Sequence, residues 1–172
     1  ESLNRFITDH AGHLIGIIYH QSGSYLIGDM AGRVDSRAAF EGEFGDFAHE
    51  DIDSLIVYLE ELAEIYQRDI VWIGPFLEYR RVPEQVLFTD DLGTVNPISV
   101  TLFEELDSLL SEKVNGNERI NFIKFSDLFE QPLFAFQEGC FLFRDADHYS
   151  RCGEKIIGQS LNTSLWDAVF HP

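Results

Sequence analysis

Long apolar runs are missing from this 172-residue chain, and none approaches the stretch of about eighteen residues that a membrane-spanning helix requires. The order of basic, apolar and small residues that marks a signal peptide is missing as well. The chain as it stands is expected to be soluble and to make no direct membrane contact. Positive charge is scarce: 12 Lys and Arg stand against 30 Asp and Glu, a formal net charge of -18. Such a surface repels nucleic-acid phosphates, so no nucleic-acid partner is expected. Acidity identifies no partner by itself, because a solvated acidic face also serves solubility. Glycine strings of Rossmann or P-loop spacing are absent, nucleotide binding loses its support, and no cofactor is expected. His10 and His13 stand one helical turn apart, but no Cys or carboxylate at useful spacing completes a set, and no metal is assigned. Cysteine is limited to Cys140 and Cys152, a number that decides no redox compartment. Internal repeats and low-complexity tracts are also lacking.

What is present suffices for one domain. Hydrophobic residues make up 45% and charged residues 24%, ordinary for a globular protein, and fifteen Phe supply bulky core material. The nearly continuous apolar run Leu14, Ile15, Ile17, Ile18, Tyr19 predicts a strand buried on both faces of a parallel sheet. The stretch from Gly28 to about Glu50 is rich in Gly, Asp and Glu without a sustained period, and reads as a long loop or insertion. From Asp51 the apolar residues Ile52, Leu55, Ile56, Leu59, Leu62, Ile65 and Tyr66 predict an amphipathic helix. Ile70 to Ile73 is a short β-rich run stopped by Gly74 and Pro75. A second helix is expected from about Pro97 to Lys113, closed by Asn115, Gly116 and Asn117, with a further strand over Ile120, Phe122, Ile123 and Phe125. Strands alternating with helices imply a three-layer α/β/α sandwich on a parallel, flavodoxin-like sheet. Chemistry in such sheets sits beyond the carboxyl ends of the strands, here His20 to Ser24, Gly74 to Tyr79 and the segment after Phe125.

The densest constellation lies near the end, in Arg144-Asp145-Ala146-Asp147-His148-Tyr149-Ser150, between the apolar run Phe141 to Phe143 and a helix entered at Gly153 with Ile156, Ile157 and Leu161 inward. An Asp three residues before a His can accept a hydrogen bond from Nδ1 and leave Nε2 as a general base. A surface turn with an acidic helix cap would carry the same residues.

This block resembles the final motif of SGNH hydrolases, particularly the SGNH domains fused to membrane acyltransferase-3 proteins, in which a strand leads to Asp-x-x-His, a bulky residue, Ser, Gly and a C-terminal helix. The similarity extends over about residues 14 to 165. The resemblance implies acyl-ester chemistry, with His148 as base, Asp145 rather than Asp147 as its orienting carboxylate, and an acylated carbohydrate as substrate. It also implies an oxyanion-hole donor just after a strand, for which Gln21 is the best match and Ser22 the second. An upstream transmembrane acyltransferase portion and a periplasmic or extracellular location follow from the same resemblance. The family's serine lies in a Gly-Asp-Ser motif, and here the nearest string is Gly28-Asp29-Met30, which offers no nucleophile. The nucleophile is therefore unknown; the domain over residues 1–172 is expected to be N-terminally incomplete, without its first strands, or else to be a non-catalytic relative that binds glycan or protein. Cys140 and Cys152 bracket the Asp145–His148 turn and either form a disulfide or remain two thiols.

Overall fold

The computed structural model describes residues 16–31, 44–75, 97–129, 136–144 and 148–161. Strand β1 (Ile17–His20) is followed by a 3-10 turn (Gly23–Leu26), then β2 (Ile27–Asp29), β3 (Phe44–Phe47), helix α1 (His49–Tyr66) and β4 (Ile70–Ile73). Helix α2 (Pro97–Lys113), β5 (Ile120–Ile123), a second 3-10 turn (Phe125–Leu128), the short strands β6 (Phe136–Gln137) and β7 (Cys140–Phe141), and helix α3 (Arg151–Ser160) complete the order. The chain is thus α/β, and β1, β4 and β5 pair in that order as a parallel sheet.

Register decides which side chains share a face. Ile17, Ile70 and Ile120 stand opposite one another, as do Tyr19, Trp72 and Phe122 two residues on. These rows bear the main core, in which Ile52, Leu59 and Ala63 of α1 and Leu102, Phe103, Leu106 and Leu110 of α2 pack against Ile70, Trp72 and Ile120. The alternate residues point the other way: Val71, Ile73 and Ile123 meet Leu128, Phe129 and Leu161. All four residues of β4 are buried, as a central parallel strand requires. β2 and β3 form a separate antiparallel pair.

Three expectations need correction. β1 is not buried on both faces: Ile18 is 44% exposed, because β1 lies at the edge of the described sheet and its second face is only partly covered there. Leu14 and Ile15 lie outside the described residues. The stretch expected as loop contains β2 and β3 at its two ends, too short and too rich in Gly and Asp to show a period of two. Ile65, expected inward, is 66% exposed. Thirteen steps from Ile52 turn a helix by about 220° beyond full turns, which places Ile65 on the opposite side, while Ala63 falls back to the core face.

The amino ends of the strands are clamped by polar groups. One guanidinium nitrogen of Arg119 donates to the carbonyls of Ala63 (2.6 Å), in the last turn of α1, and Arg68 (3.3 Å), just beyond it. The other nitrogen lies 3.1 Å from Asp69 Oδ1. Asn117 donates to Glu60 (2.7 Å), and Lys113 pairs with Asp53, so α1 and α2 are joined at their solvent margin as well as through the core.

Leu59 is fully buried between α1 and the sheet. Leu59→Ala is expected to cost about 2 to 5 kcal/mol through lost transfer energy and the residual cavity. Ile65→Ser should stay within roughly 0.5 kcal/mol. Urea unfolding checks both: the midpoint should fall for Leu59→Ala with an unchanged slope.

Candidate functional site

At the carboxyl ends of the parallel strands, β1 delivers His20, Gln21 and Ser22, β4 delivers Gly74 and Pro75, and β5 delivers Lys124 and Phe125. Pairing in register holds these segments together: His20 stands opposite Ile73, which stands opposite Ile123, and Gly74 N–H donates to the Ile123 carbonyl at 2.8 Å.

His20 has a defined setting. Its ring is stacked on Phe125 with centroids 5.8 Å apart and planes 23° from parallel, and Nδ1 lies 3.2 Å from the Ile73 carbonyl oxygen. A carbonyl can only accept, so this contact selects the tautomer with the proton on Nδ1. The residue keeps an exposed side, yet removal of the ring from water is the first cause lowering its pKa, and backbone hydrogen bonds to Ile73 and Gly74 oppose that lowering. His20 is neutral at pH 7. Nothing in the apolar run before it singled out this histidine.

Gln21, half-buried, accepts a hydrogen bond at Oε1 from the Tyr19 hydroxyl. Burial first, and the Tyr58 phenol second, hold Tyr19 above the ordinary tyrosine value, so its hydroxyl remains a donor through the physiological range. With Oε1 engaged, the Gln21 amide nitrogen is the end left to donate elsewhere. Ser22 is half-buried in the same segment, and its carbonyl receives Tyr25 N–H at 3.4 Å. Asp29 of the Gly28-Asp29-Met30 string is buried and accepts from Ala31 N–H at 2.8 Å, which closes a turn after β2.

His148 sits on a turn closed by several local contacts. Arg144 N–H donates to the His148 carbonyl (2.9 Å), Phe143 and Tyr149 form an antiparallel bridge, and Ser150 N–H donates to the Leu142 carbonyl (2.8 Å). Cys140 and Cys152 are joined by a disulfide with Cα atoms 6.2 Å apart, so the bridge is the state present of the two the sequence left open. His148 itself is exposed. Asp145 and Asp147 lie outside the described residues, and with them the expected Asp145 contact to the His148 ring. The turn is tied to the sheet end through Phe125, which packs both against the cluster of Cys140, Leu142, Phe143 and Ile156 and against Val71, Ile73 and Leu128. Phe125 therefore touches the neighbourhoods of both His20 and His148.

The start of α3 explains two residues of the final motif. Ser150 is its N-cap, accepting from Gly153 N–H at 2.9 Å while donating to the Phe141 carbonyl. Helix α3 begins at Arg151, before the expected entry at Gly153, because the cap is Ser150. Gly153 packs against the backbone of Leu142: a Cβ there would stand 2.0 Å from its carbonyl oxygen. Ile156 and Ile157 are buried, as their spacing predicts.

One residue that periodicity concealed is Asp107, which occupies a position on the inward face of α2 beside Leu106 and Leu110. Its Oδ1 has no hydrogen-bond partner among the described residues and lies where a side chain at Gly74 would begin, 2.6 Å from the position of a Cβ. Desolvation raises its pKa to about 7; Lys124 acts to lower it, while Asp127 and Glu104 raise it further.

The described residues contain no group of three or more His, Cys, Asp or Glu placed to hold a metal ion, and no helix among them is long and apolar enough to cross a membrane. His10, His13 and Trp166 lie outside the described residues. Comparison with known protein families, curated proteins and solved structures gives no match to this chain.

Opening the Cys140–Cys152 bridge should cost about 2 to 4 kcal/mol by releasing the unfolded chain. Cys140→Ala/Cys152→Ala and the reduced native chain should therefore unfold at similar urea concentrations, both below the oxidised chain. Gly153→Ala, facing immovable backbone, should cost about 1 to 3 kcal/mol or more even with the bridge intact.

Proposed function

We propose that this chain belongs to an SGNH-type domain that, where a serine nucleophile is supplied, acts on O-acyl esters, most naturally O-acetyl groups on carbohydrate, as esterase or acyltransferase, with His148 as general base and Asp145 as its orienting carboxylate. The observation that carries this reading is the construction around His148: an exposed imidazole on a turn closed by a disulfide and a β-bridge, anchored through Phe125 to the carboxyl end of a parallel sheet. A general base must be held in place while remaining open to substrate, and this turn meets both conditions. The finer arrangement, a three-layer flavodoxin-like SGNH sandwich in a periplasmic or extracellular compartment, belongs to the same proposal, and the disulfide suits an oxidising compartment.

In the reaction proposed, His148 Nε2 takes the proton of a serine hydroxyl as that oxygen adds to the acyl carbonyl. The imidazolium then protonates the departing sugar oxygen as the tetrahedral adduct collapses. Water or a second sugar hydroxyl repeats the sequence and releases the acyl group. The Gln21 amide and Ser22 are the proposed donors to the developing oxyanion. The absence of a Gly-Asp-Ser string from these 172 residues favours a second reading, a non-catalytic module of the same family that binds glycan or a partner protein at the strand ends.

On p-nitrophenyl acetate and on O-acetylated oligosaccharide, this chain is expected to show at most trace hydrolysis, because a base without its serine forms no acyl-enzyme. The trace should disappear in His148→Ala. Robust turnover that survives this substitution would overturn the assignment. Saturable binding of acetylated oligosaccharide by calorimetry, unchanged by His148→Ala and without deacetylation, would select the binding module.

A further inference from the structure

Asp107 is the charged side chain least expected where it stands. Its residue is 8% exposed, and its Oδ1 has no partner among the described residues. A carboxylate oxygen kept from water without a hydrogen bond is costly, so the site favours the uncharged acid. The same oxygen abuts Gly74, whose missing side chain provides the space it fills, and Phe122 closes the other side of that space. One turn earlier on α2, Phe103 packs under Gly23, where a Cβ would stand 2.3 Å from the ring, and Pro75 lies beside the same glycine. Asp107 and Phe103 thus hold α2 against the ends of both β4 and β1.

We infer that Asp107 is a proton-operated latch: as the neutral acid it seats α2 beneath Gly74, and as the carboxylate it leaves that seat and loosens the Gln21–Gly23 and Gly74–Pro75 segments. The groups that face it set the direction. Lys124, just beyond β5, favours the ionised form, whereas Asp127 after β5 and Glu104 on α2 oppose it. Gly74, Phe122 and Phe103 bring no charge. His20, at the same strand end but on the opposite face of the sheet, is neutral near pH 7 and does not compensate the new charge.

The carboxyl's folded pKa is raised above its unfolded value, so the folded state binds the extra proton between about pH 4 and the folded value of about 7. Stability from this group therefore declines as pH rises through that window and levels off above it. This device is independent of the proposed acyl chemistry.

Trp72 provides the reading, because it meets Phe122 edge-on at 5.5 Å and Phe122 lines the Gly74 seat. In a Trp166→Phe background Trp72 is the sole tryptophan, since the chain has two. Its fluorescence should titrate with a midpoint near 7, and Asp107→Asn should abolish that step. The amide resonances of Gly23 and Gly74 should shift with the same midpoint in the native chain. A Trp72 step that persists in Asp107→Asn overturns the latch. If Asp107→Asn fails to fold, the Asp107 carboxyl carbon resonance of the native chain decides: titration near 4, or titration near 7 with Gly23 and Gly74 unmoved, overturns it equally.

Discussion

The burial of β4 on both faces is the constraint from which the rest of this structure follows. Ile70, Val71, Trp72 and Ile73 are all buried, so each face of the strand needs a covering layer. Parallel neighbours cannot be reached by a tight turn, and the chain must cross over before β4 and again before β5. Helices α1 and α2 make those crossings and cover the face that Ile70 and Trp72 present. The opposite face has no helix of comparable length among the described residues. The 3-10 turn after β5, Phe129 and Leu161 beyond the end of α3 cover it, so the covering of Val71 and Ile73 draws the last part of the chain back to the sheet.

That return is why the His148 turn lies near the strand ends at all. Phe129 and Leu161 form an isolated antiparallel bridge, and Phe125 contributes to the clusters on both sides of this junction. The described residues between them are closed locally, by the disulfide, the Phe143–Tyr149 bridge, the Ser150 cap and the close approach of Gly153 to Leu142. None of these contacts requires a large core. A small, locally closed unit can keep a side chain exposed without letting it wander, which an ordinary surface loop does less well.

How much of this was legible depended on whether a signal was periodic. α2 runs from Pro97 to Lys113 and β4 from Ile70 to Ile73, as their apolar spacing and the flanking Pro, Gly and Asn predict, because both are long or apolar enough to display their own period. β2 and β3 are three and four residues long and carry Gly28, Asp29, Gly45 and Asp46, and so look like loop. The cysteines flanking the candidate turn were open between a bridge and two thiols in the sequence, and the structure shows the bridge; the Asp145 contact to His148 lies outside the described residues. Ser150 as cap and Gly153 as a point of backbone contact acquire their reasons only from packing. Asp107 was concealed because it is one polar residue on the inward face of an apolar helix, and periodicity registers the pattern rather than its exception; His20 lay in a strand-end segment the sequence pointed to, without any sign of its own setting.

Those two residues are related by the electrostatics of the strand ends. Burial disfavours charge on either group, which lowers the pKa of His20 and raises that of Asp107 to about 7. In a chain of net charge -18, a strand end at which an imidazole and a carboxyl both disfavour charge is a local departure from the surface around it. The same neutrality is fragile on one side only: raising the pH charges Asp107 and adds to an excess already present, whereas lowering it charges His20 and subtracts from that excess.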